Sequence, residues 1–349
     1  MELYNELGYV NIKALAETGY PFIWVCGARG TGKTYGAIDY VMQPEHTGQF
    51  FFLRRTDKEI RLLQNPMLSP FVVYGNDHDR PFAYPKIADG VGGVYDGENV
   101  DGKIQPKGDL LGYTAALSTF ANMRGFNGSQ VTTVIFDEFI KEPHVRPIKD
   151  EAGALMNVYE TISRNRELYG HKPLQMIACA NSFEMANPHF VKFGFVDRAE
   201  RMRERGEELY FDKERGHLLV VLSKSPISER KADTALYRAT RGTEYAEMAL
   251  HNKFADREKY SRPVSRTLKG CRPLCFVGEL AIYTVKDTGR LYVCNHKTGN
   301  APMYNNSATD LQRFRQMHGG VVWQMYMLRM IDFERISFEV MLQTYLNKT

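Results

Sequence analysis

The sequence has few cysteines, no long hydrophobic run and no internal repeat. No apolar stretch approaches the roughly 18 residues that a membrane-spanning helix requires, and no signal peptide is recognisable, which argues against membrane-spanning and secreted proteins. The absence of repeats and low-complexity tracts excludes repeat architectures. An odd, scattered set of cysteines predicts reduced thiols in an intracellular compartment instead of a disulfide framework. These cysteines are Cys26, Cys179, Cys271, Cys275 and Cys294.

The length and the uneven charge of the chain predict two domains with different tasks. With 349 residues, 43% of them hydrophobic, the chain can bury a substantial core, and its length favours more than one domain. The formal net charge is +4, but residues 258–349 alone contain 13 Lys and Arg against 7 Asp and Glu. A basic carboxyl-terminal region suits contact with a polyanion. An ordinary solvated basic face gives the same count, so both interpretations stay open.

Residues 27–34 carry the strongest chemical signal. The octet GARGTGKT matches the phosphate-binding loop (P-loop) pattern G-x-x-x-x-G-K-[ST], and it lies between an apolar run and a helical segment. Glycines permit the backbone angles that turn consecutive N–H groups around phosphate oxygens. Lys33 is predicted to reach the β- and γ-phosphates, and the Thr34 hydroxyl to bind Mg²⁺. The residues predicted to cradle the nucleotide are Gly27, Ala28, Arg29, Gly30, Thr31, Gly32, Lys33 and Thr34.

The run TTVIFDEF at residues 132–139 supplies a pair of acids. An apolar, β-branched strand delivers Asp137 and Glu138 at its carboxyl end, where ligands bind in open parallel sheets. Opposite Thr34, Asp137 is predicted to hold Mg²⁺, and Glu138 to polarise the water that attacks the γ-phosphate. A glutamate at this place favours hydrolysis over transfer to a small molecule, because a kinase must exclude activated water.

Three further polar residues are candidates for the same site. Asn181 follows a predicted strand. Its amide could sense the γ-phosphate or orient the attacking water, and the alternative is an asparagine that simply begins a loop. Arg164 ends a helix predicted over residues 150–164, and its guanidinium either complements the helix dipole or reaches phosphate in a neighbouring subunit. Arg29 reaches either the γ-phosphate of its own site or an adjacent element.

The first 226 residues alternate apolar strands with helical patterns, which predicts an α/β domain with a largely parallel sheet. A glycine-rich stretch over residues 71–117 is typical of an antiparallel meander at the periphery of that sheet. Dense charge over residues 195–216 indicates an exposed helix, with a DNA-facing surface as the alternative. The predicted strands of the parallel sheet are residues 22–26, 49–54, 132–136, 174–180 and 218–223.

Four stretches, GARGTGKT, VIFDEF, TISRNRE (161–167) and RGTEYAEM (241–248), together resemble the DNA-packaging ATPases of small short-tailed phages, the phi-twenty-nine type. They lie in the same order as in that family over about residues 20–260. The first stretch is common to many NTPases, whereas the last two are specific. The resemblance implies an ASCE P-loop NTPase, a fold whose catalytic glutamate sits beside the Mg²⁺-associated aspartate, with ATP and Mg²⁺ as cofactors.

The resemblance also implies a function. Such an ATPase forms a homo-oligomeric ring, a pentamer in this family, docks on the portal of an empty capsid (the procapsid) and drives double-stranded DNA inward. A scaffold RNA is a further candidate partner. The ring acts in the host-cell cytoplasm and lies on the procapsid transiently during virion assembly. In the family an arginine at the position of Arg164 acts in trans on a neighbour's nucleotide, so the predicted catalytic set is Glu138, Lys33, Arg164 and Asn181.

The resemblance divides the chain into an ATPase domain (1–226), a small helical linker (227–257) and a carboxyl-terminal α+β domain (258–349). The last of these resembles an RNase H-like nuclease that has lost its nuclease centre. The family's basic pair at a strand end matches Arg54-Arg55. The lysine that follows this pair in the family is displaced here to Lys58, so no role is carried over to that residue.

Residues 262–349 do not show the pattern of an active nuclease. Strands predicted over residues 276–285 and 290–295 flank a turn at 286–289, and helical patterns begin near Thr309 and again from Val321 to the end. A two-metal nuclease requires several carboxylates converging on ions about 4 Å apart. The acids of this segment are scattered over strand, turn and terminal helix positions, which predicts no nuclease activity. They are Glu279, Asp287, Asp310, Asp332, Glu334 and Glu339.

Other interpretations share parts of this pattern. A ring-forming DNA helicase, or another ASCE DNA-remodelling ATPase, would use the same P-loop, acid pair and arginine in trans. A GTP-dependent switch would require N-K-x-D, which NKFA at residues 252–255 misses by its acid. A zinc site is the alternative to ordinary reduced cysteines in the carboxyl-terminal region, although its spacing differs from the usual short knuckles. Its ligands would be Cys271, Cys275, Cys294 and His296.

Overall fold

The structure, a computed structural model, describes residues 1–65, 67–120, 125–141, 145–181, 187–243, 246, 250 and 261–346. By its internal contacts the chain divides into two units. The first comprises residues 1–183 and 202–253, and the second comprises residues 184–201 and 254–349. The division into ATPase, linker and carboxyl-terminal domains stays a prediction. Within the described ranges, no helix has the length and apolarity to cross a membrane.

A large, mostly parallel sheet forms the centre of the first unit. Across the sheet the strand order is β3-β5-β6-β2-β7-β8-β1-β10-β9, with β4 beside β5. From β6 to β10 in this order, neighbouring strands pair in parallel, and the edge strands pair antiparallel. The strands are β1 (Phe22–Gly27), β2 (Gln49–Arg54), β3 (Phe82–Ala83), β4 (Lys86–Ala88), β5 (Val91–Val100), β6 (Lys103–Ala116), β7 (Val131–Asp137), β8 (Gln175–Ala180), β9 (Leu209–Asp212) and β10 (His217–Leu222).

Short helices connect these strands, and α7 with the first part of α8 belongs to the second unit. The helices are α1 (Ile12–Ala16), α2 (Lys33–Met42), α3 (Asp57–Leu63), α4 (Pro70–Asp77), α5 (Leu117–Phe120), α6 (Glu151–Ser163), α7 (Pro188–Phe193), α8 (Val196–Arg205), α9 (Pro226–Lys231) and α10 (Ala235–Ala239). A 3₁₀ turn, Arg166–Tyr169, follows α6.

The five predicted strands of the parallel sheet are confirmed as β1, β2, β7, β8 and β10. Their continuous apolar runs are buried on both faces, as in β1, where Ile23, Trp24 and Val25 are all inaccessible to solvent. Side chains alternate between the two faces of a strand, so a strand covered on both sides reads as an unbroken apolar run. The mixed α/β class with a largely parallel sheet is therefore confirmed.

Two sequence predictions about the first 226 residues are wrong in part. Residues 70–77 form helix α4 instead of the start of the meander, because Ser69 accepts a hydrogen bond from the Phe71 N–H and Pro70 occupies the first helical position. The rest of that stretch forms the predicted antiparallel edge strands. Helix α8 is not simply exposed, since Val196, Ala199 and even Glu200 are buried. The many charges of α8 conceal a narrow apolar face.

The second unit contains a five-stranded sheet in the order β14-β11-β12-β13-β15. Its strands are β11 (Cys271–Val277), β12 (Leu280–Val285), β13 (Leu291–Cys294), β14 (Met303–Tyr304) and β15 (Ile331–Phe333). Its helical segments after β14 are Ala308–Phe314, the π-helical turn Arg315–Gly319, Gly320–Met327 and Ile336–Leu346.

The sequence prediction for this unit is corrected at two places. The run 276–285 is not one strand, because Gly278 (φ +54°) and Glu279 make a tight turn that separates β11 from β12. Asp332 lies in strand β15 and not in a terminal helix, and its carboxylate pairs with Arg290 at 2.7 Å. The predicted turn at 286–289 is confirmed.

Candidate functional site

The P-loop connects the carboxyl end of β1 to the amino terminus of α2. Gly32 is the N-cap residue of this helix and has φ +86°. Because glycine has no side chain, it cannot accept a hydrogen bond from the first N–H groups of α2. Such a helix start is suited to binding phosphate. A Cβ atom at Gly32 would lie 2.9 Å from the Tyr9 side chain, which is a second reason for glycine at this position.

Lys33 is held by the loop itself. Its ammonium donates to the carbonyls of Gly27 (3.1 Å) and Ala28 (2.7 Å) and to the Thr31 hydroxyl (3.1 Å). The side chain is only 4% exposed, and this burial lowers the pKa of Lys33 to about 8. The loop therefore fixes one cation at a defined place, where a phosphate oxygen can pair with it.

Thr34 and Asp137 lie together, as the sequence predicts. The Thr34 hydroxyl donates to Asp137 Oδ1 at 2.9 Å, although 103 residues separate the two in the chain. The carboxylate is buried at the carboxyl end of β7. A hydroxyl and a carboxylate are hard oxygen ligands of the kind that Mg²⁺ prefers. The pair therefore fits the predicted magnesium ion.

Glu138 has an unusual backbone conformation, with φ +58°. Its own N–H donates to Asp137 Oδ1 at 3.2 Å, and the next residue, Phe139, is anchored by its N–H to the Cys179 carbonyl at 3.1 Å. Left-handed backbone at a residue other than glycine is uncommon and clusters at functional sites. The Asn181 amide approaches Glu138 Oε1 at 3.5 Å, so the structure brings these two predicted residues together.

The Arg54 side chain contacts both acids. The sequence analysis did not predict this contact. Its guanidinium pairs with Asp137 Oδ2 at 2.7 Å and with Glu138 Oε2 at 2.8 Å. Burial by itself would lower the pKa of Arg54, but the two nearby carboxylates raise it by more, so the pKa of Arg54 is raised. The available signal was the position of Arg54 at the end of β2. That β2 pairs with β7 cannot be read from the sequence.

The next residue, Arg55, points into a different part of the unit. It forms a buried ion pair with Glu151, the first residue of α6, with Nη2 to Oε2 at 2.8 Å. The end of β2 therefore contacts the two site acids through Arg54 and the start of α6 through Arg55. Lys58 is an exposed residue of α3.

Arg164 lies near the amino-terminal ends of the parallel strands, on the opposite side of the sheet from the P-loop and the acids. It caps the carboxyl end of α6 with φ +43° and lines a cleft together with Pro21, Thr132 and Gln175, which lie at the starts of β1, β7 and β8. The P-loop and the acids follow the carboxyl ends of these strands. The structure therefore does not bring Arg164 to the other predicted catalytic residues of its own chain.

Two further arginines, Arg166 after α6 and the candidate Arg29 of the P-loop, have backbone contacts. Arg166 Nη2 donates to the Val131 carbonyl at 2.6 Å, at the start of β7. The carbonyl of Arg29, an exposed residue of the P-loop, accepts a hydrogen bond from Lys231.

The predicted zinc alternative is not supported. In the part of the chain that the structure describes, no three His, Cys, Asp or Glu residues are grouped to hold a metal ion. Burial raises the pKa of the Cys275 thiol to about 12 and that of Cys294 to about 11, so both thiols stay protonated in the metal-free protein. The NKFA stretch at 252–255, and part of RGTEYAEM, lie outside the described residues.

A phosphate-binding loop and paired acids at the carboxyl edge of a mostly parallel sheet define the P-loop class of α/β proteins. The model of the Podovirus DNA encapsidation protein (Gp16) family matches residues 6–269. The chain belongs to this family.

Individual relatives agree with this assignment. The DNA packaging protein of Bacillus phage B103 is 28% identical over 300 residues, which are 83% of this chain and 82% of that protein. That of Bacillus phage phi29 is 27% identical over 296 residues, 82% of this chain and 79% of the other. Two solved structures share the fold: the Phi-28 gp11 DNA packaging motor (TM-score 0.62, 18% identity, 98% of both chains) and the bacteriophage Phi-29 viral genome packaging motor assembly (TM-score 0.61, 20% identity, 99% of this chain and 100% of that one).

Proposed function

We propose that this protein is an ATP-driven motor that translocates double-stranded viral DNA into a preformed capsid as a homo-oligomeric ring at the portal. The observation that carries the proposal is the convergence of Lys33, the Thr34–Asp137 pair and Glu138 at one edge of the sheet, in a chain of the DNA encapsidation family. Residues 1–226 are then an ASCE ATPase domain, and residues 258–349 are a nuclease-like domain without nuclease activity.

Each residue of the site has a separate role in ATP hydrolysis. The P-loop N–H groups and the Lys33 ammonium bind the phosphates, and Thr34 and Asp137 hold Mg²⁺, which, when bound, neutralises developing charge. Glu138 accepts a proton from the attacking water, and Asn181 orients the Glu138 carboxylate. Arg54 pairs with Oε2 of that same carboxylate, and the Asn181 amide approaches the other oxygen, Oε1.

The proposed partners follow from the family and from the charge. Double-stranded DNA, the portal of the procapsid and further copies of this chain are the main ones, with five copies in the ring and a scaffold RNA as an additional candidate. The basic carboxyl-terminal region suits nucleic acid. The protein would act in the host-cell cytoplasm and lie on the procapsid during assembly.

A direct test separates packaging from the helicase alternative. Purified protein should hydrolyse ATP faster when empty capsids and DNA are added, and it should not unwind a tailed duplex. Strand separation without any stimulation by capsids would instead identify a helicase.

The affinity for ATP should depend on pH through Lys33. Its pKa is lowered from 10.5 to about 8 by burial, so the free protein loses the positive charge as the pH rises through 8. Because bound phosphate favours the charged form, ATP affinity is constant below this value and falls by about tenfold between pH 7 and pH 9. Equilibrium titration with Mg·ATP at both pH values measures this change. Lys33→Met should bind weakly at both, and a wild-type affinity that does not change would contradict the proposal.

DNA binding should be indifferent to sequence and sensitive to salt. A motor that moves along arbitrary DNA must contact the phosphate backbone, and each neutralised phosphate releases counterions. We expect affinity to fall by at least about tenfold between 50 and 200 mM salt, measured by fluorescence anisotropy with two unrelated duplexes of equal length. A marked preference for one duplex, or equal affinity at both salt concentrations, argues against a translocase.

A further inference from the structure

Helix α9, at the start of the predicted linker, contacts the P-loop. The ammonium of Lys231, the last residue of α9, donates a hydrogen bond to the backbone carbonyl of Arg29. A Cβ atom added to Gly30 would lie 2.8 Å from the same ammonium. The Lys231 side chain therefore packs against the Arg29–Gly30 peptide group, in the middle of the loop.

This contact affects the direction of an N–H group. In a planar trans peptide the carbonyl and the N–H point in opposite directions. With the Arg29 carbonyl directed at Lys231, the Gly30 N–H points away from Lys231, as it must if a phosphate held by the loop lies on the side away from α9. Gly30 has φ +70°, a conformation that glycine adopts without strain.

Lys231 is itself anchored within the linker. Its ammonium lies 5.2 Å from the centre of the Tyr237 ring, within the range of a cation–π contact. Tyr237 is buried in a small cluster with Ala246 and Leu250. A movement of α9 would therefore move the ammonium relative to the loop.

The amino-terminal segment forms a second connection between α9 and the loop. Arg230, next to Lys231 in α9, donates to the Leu7 carbonyl at 3.4 Å. The Val10 N–H donates to the Thr31 carbonyl at 3.0 Å. This route reaches the P-loop without the Lys231 ammonium.

The charge of Lys231 also acts on the site. Burial is the main cause of the lowered pKa of Lys33, and the nearby positive charge of Lys231 lowers that pKa further. The positive charge of Lys231 therefore acts on Lys33 in addition to its contact with the loop. A bound anion relieves their mutual repulsion, which favours phosphate.

We propose that Lys231 is a positioning residue of the nucleotide site, which orients the Arg29–Gly30 peptide for phosphate binding and so couples ATP binding to helix α9. The proposal rests on the proposed use of ATP. The coupling is reciprocal, because binding free energies are linked: a phosphate that holds the Gly30 N–H also keeps the Arg29 carbonyl directed at Lys231. ATP therefore stabilises α9 in its present position.

The first measurement is ATP affinity in a Glu138→Gln background, which prevents hydrolysis during the titration. Lys231→Met keeps the length of the side chain and removes its charge. It should weaken Mg·ATP binding roughly tenfold, which corresponds to about 1.4 kcal/mol. Lys231→Arg, which can still donate to the carbonyl, should restore most of the affinity. Arg238→Met removes an exposed charge from α10, also in the predicted linker, and should change the affinity by less than about twofold.

The second measurement is amide hydrogen exchange of residues 226–231 with and without Mg·ATP. ATP should slow exchange in the parent protein and in Lys231→Arg, and should have little effect in Lys231→Met. Equal ATP affinity and an equal exchange response in parent and Lys231→Met overturn the proposal, and so does an equal loss in the Met and Arg variants. If the parent protein does not bind ATP at all, it is the proposed function that fails.

Discussion

Glu138→Gln is expected to abolish ATP turnover while Mg·ATP still binds. The amide has the shape of the carboxylate but cannot accept the proton of the attacking water, and general-base contributions of this kind are worth about 10² to 10⁴ in rate. The P-loop, Lys33 and the Thr34–Asp137 pair stay intact in this variant. Steady-state phosphate release and equilibrium ATP binding, measured on the same preparation, separate the two effects.

Two further variants serve as comparisons for the result with Glu138→Gln. Lys33→Ala removes the buried ammonium and should weaken ATP binding itself, so it loses turnover for a different reason. Glu214→Gln neutralises an exposed carboxylate in the turn before β10 and should hydrolyse ATP at the wild-type rate. Hydrolysis at the wild-type rate by Glu138→Gln would show that Glu138 is not the general base.

Arg164→Ala is expected to bind ATP normally and to hydrolyse it very slowly. Arg164 lies at the edge of the sheet opposite to its own P-loop, so within a ring it is suited to reach a neighbour's nucleotide. Head-to-tail contacts that close into a ring place each site at an interface. An arginine supplied in trans contributes about 10³ to 10⁵ in rate in other P-loop NTPases. Phosphate release and ATP binding are measured as for Glu138→Gln.

Mixing two inactive variants tests whether the site is shared. Arg164→Ala subunits retain Lys33 and Glu138, whereas Glu138→Gln subunits retain the arginine. In a mixed ring some interfaces combine an intact nucleotide site with an intact arginine, and part of the activity should return. As a control, Glu138→Gln mixed with Lys33→Ala should stay inactive, because neither subunit has an intact nucleotide site. If rings of Arg164→Ala and Glu138→Gln form and remain inactive, Arg164 acts within its own subunit.

The predictions that depend on local pattern agree with the structure. The P-loop is an unbroken motif, and the parallel strands are continuous apolar runs because both faces of the sheet are covered. The Thr34–Asp137 contact also follows from the sequence, since a P-loop and a strand that ends in two acids both open at the carboxyl edge of a parallel sheet. Errors arose where local pattern is ambiguous. The turn at Gly278 divides one apolar run into two strands, and the charges of α8 hide its buried side chains.

The sequence by itself determined the α/β class, the phosphate-binding loop and the acid pair, because each depends on residues that are adjacent in the chain. Only the tertiary structure decided which distant residues meet them. Arg54 reaches Asp137 and Glu138 because β2 pairs with β7. Lys231 reaches the P-loop because β10 pairs with β1, which brings the start of the linker beside the loop. Strand order depends on long-range packing among many elements, and no short stretch of sequence contains that information.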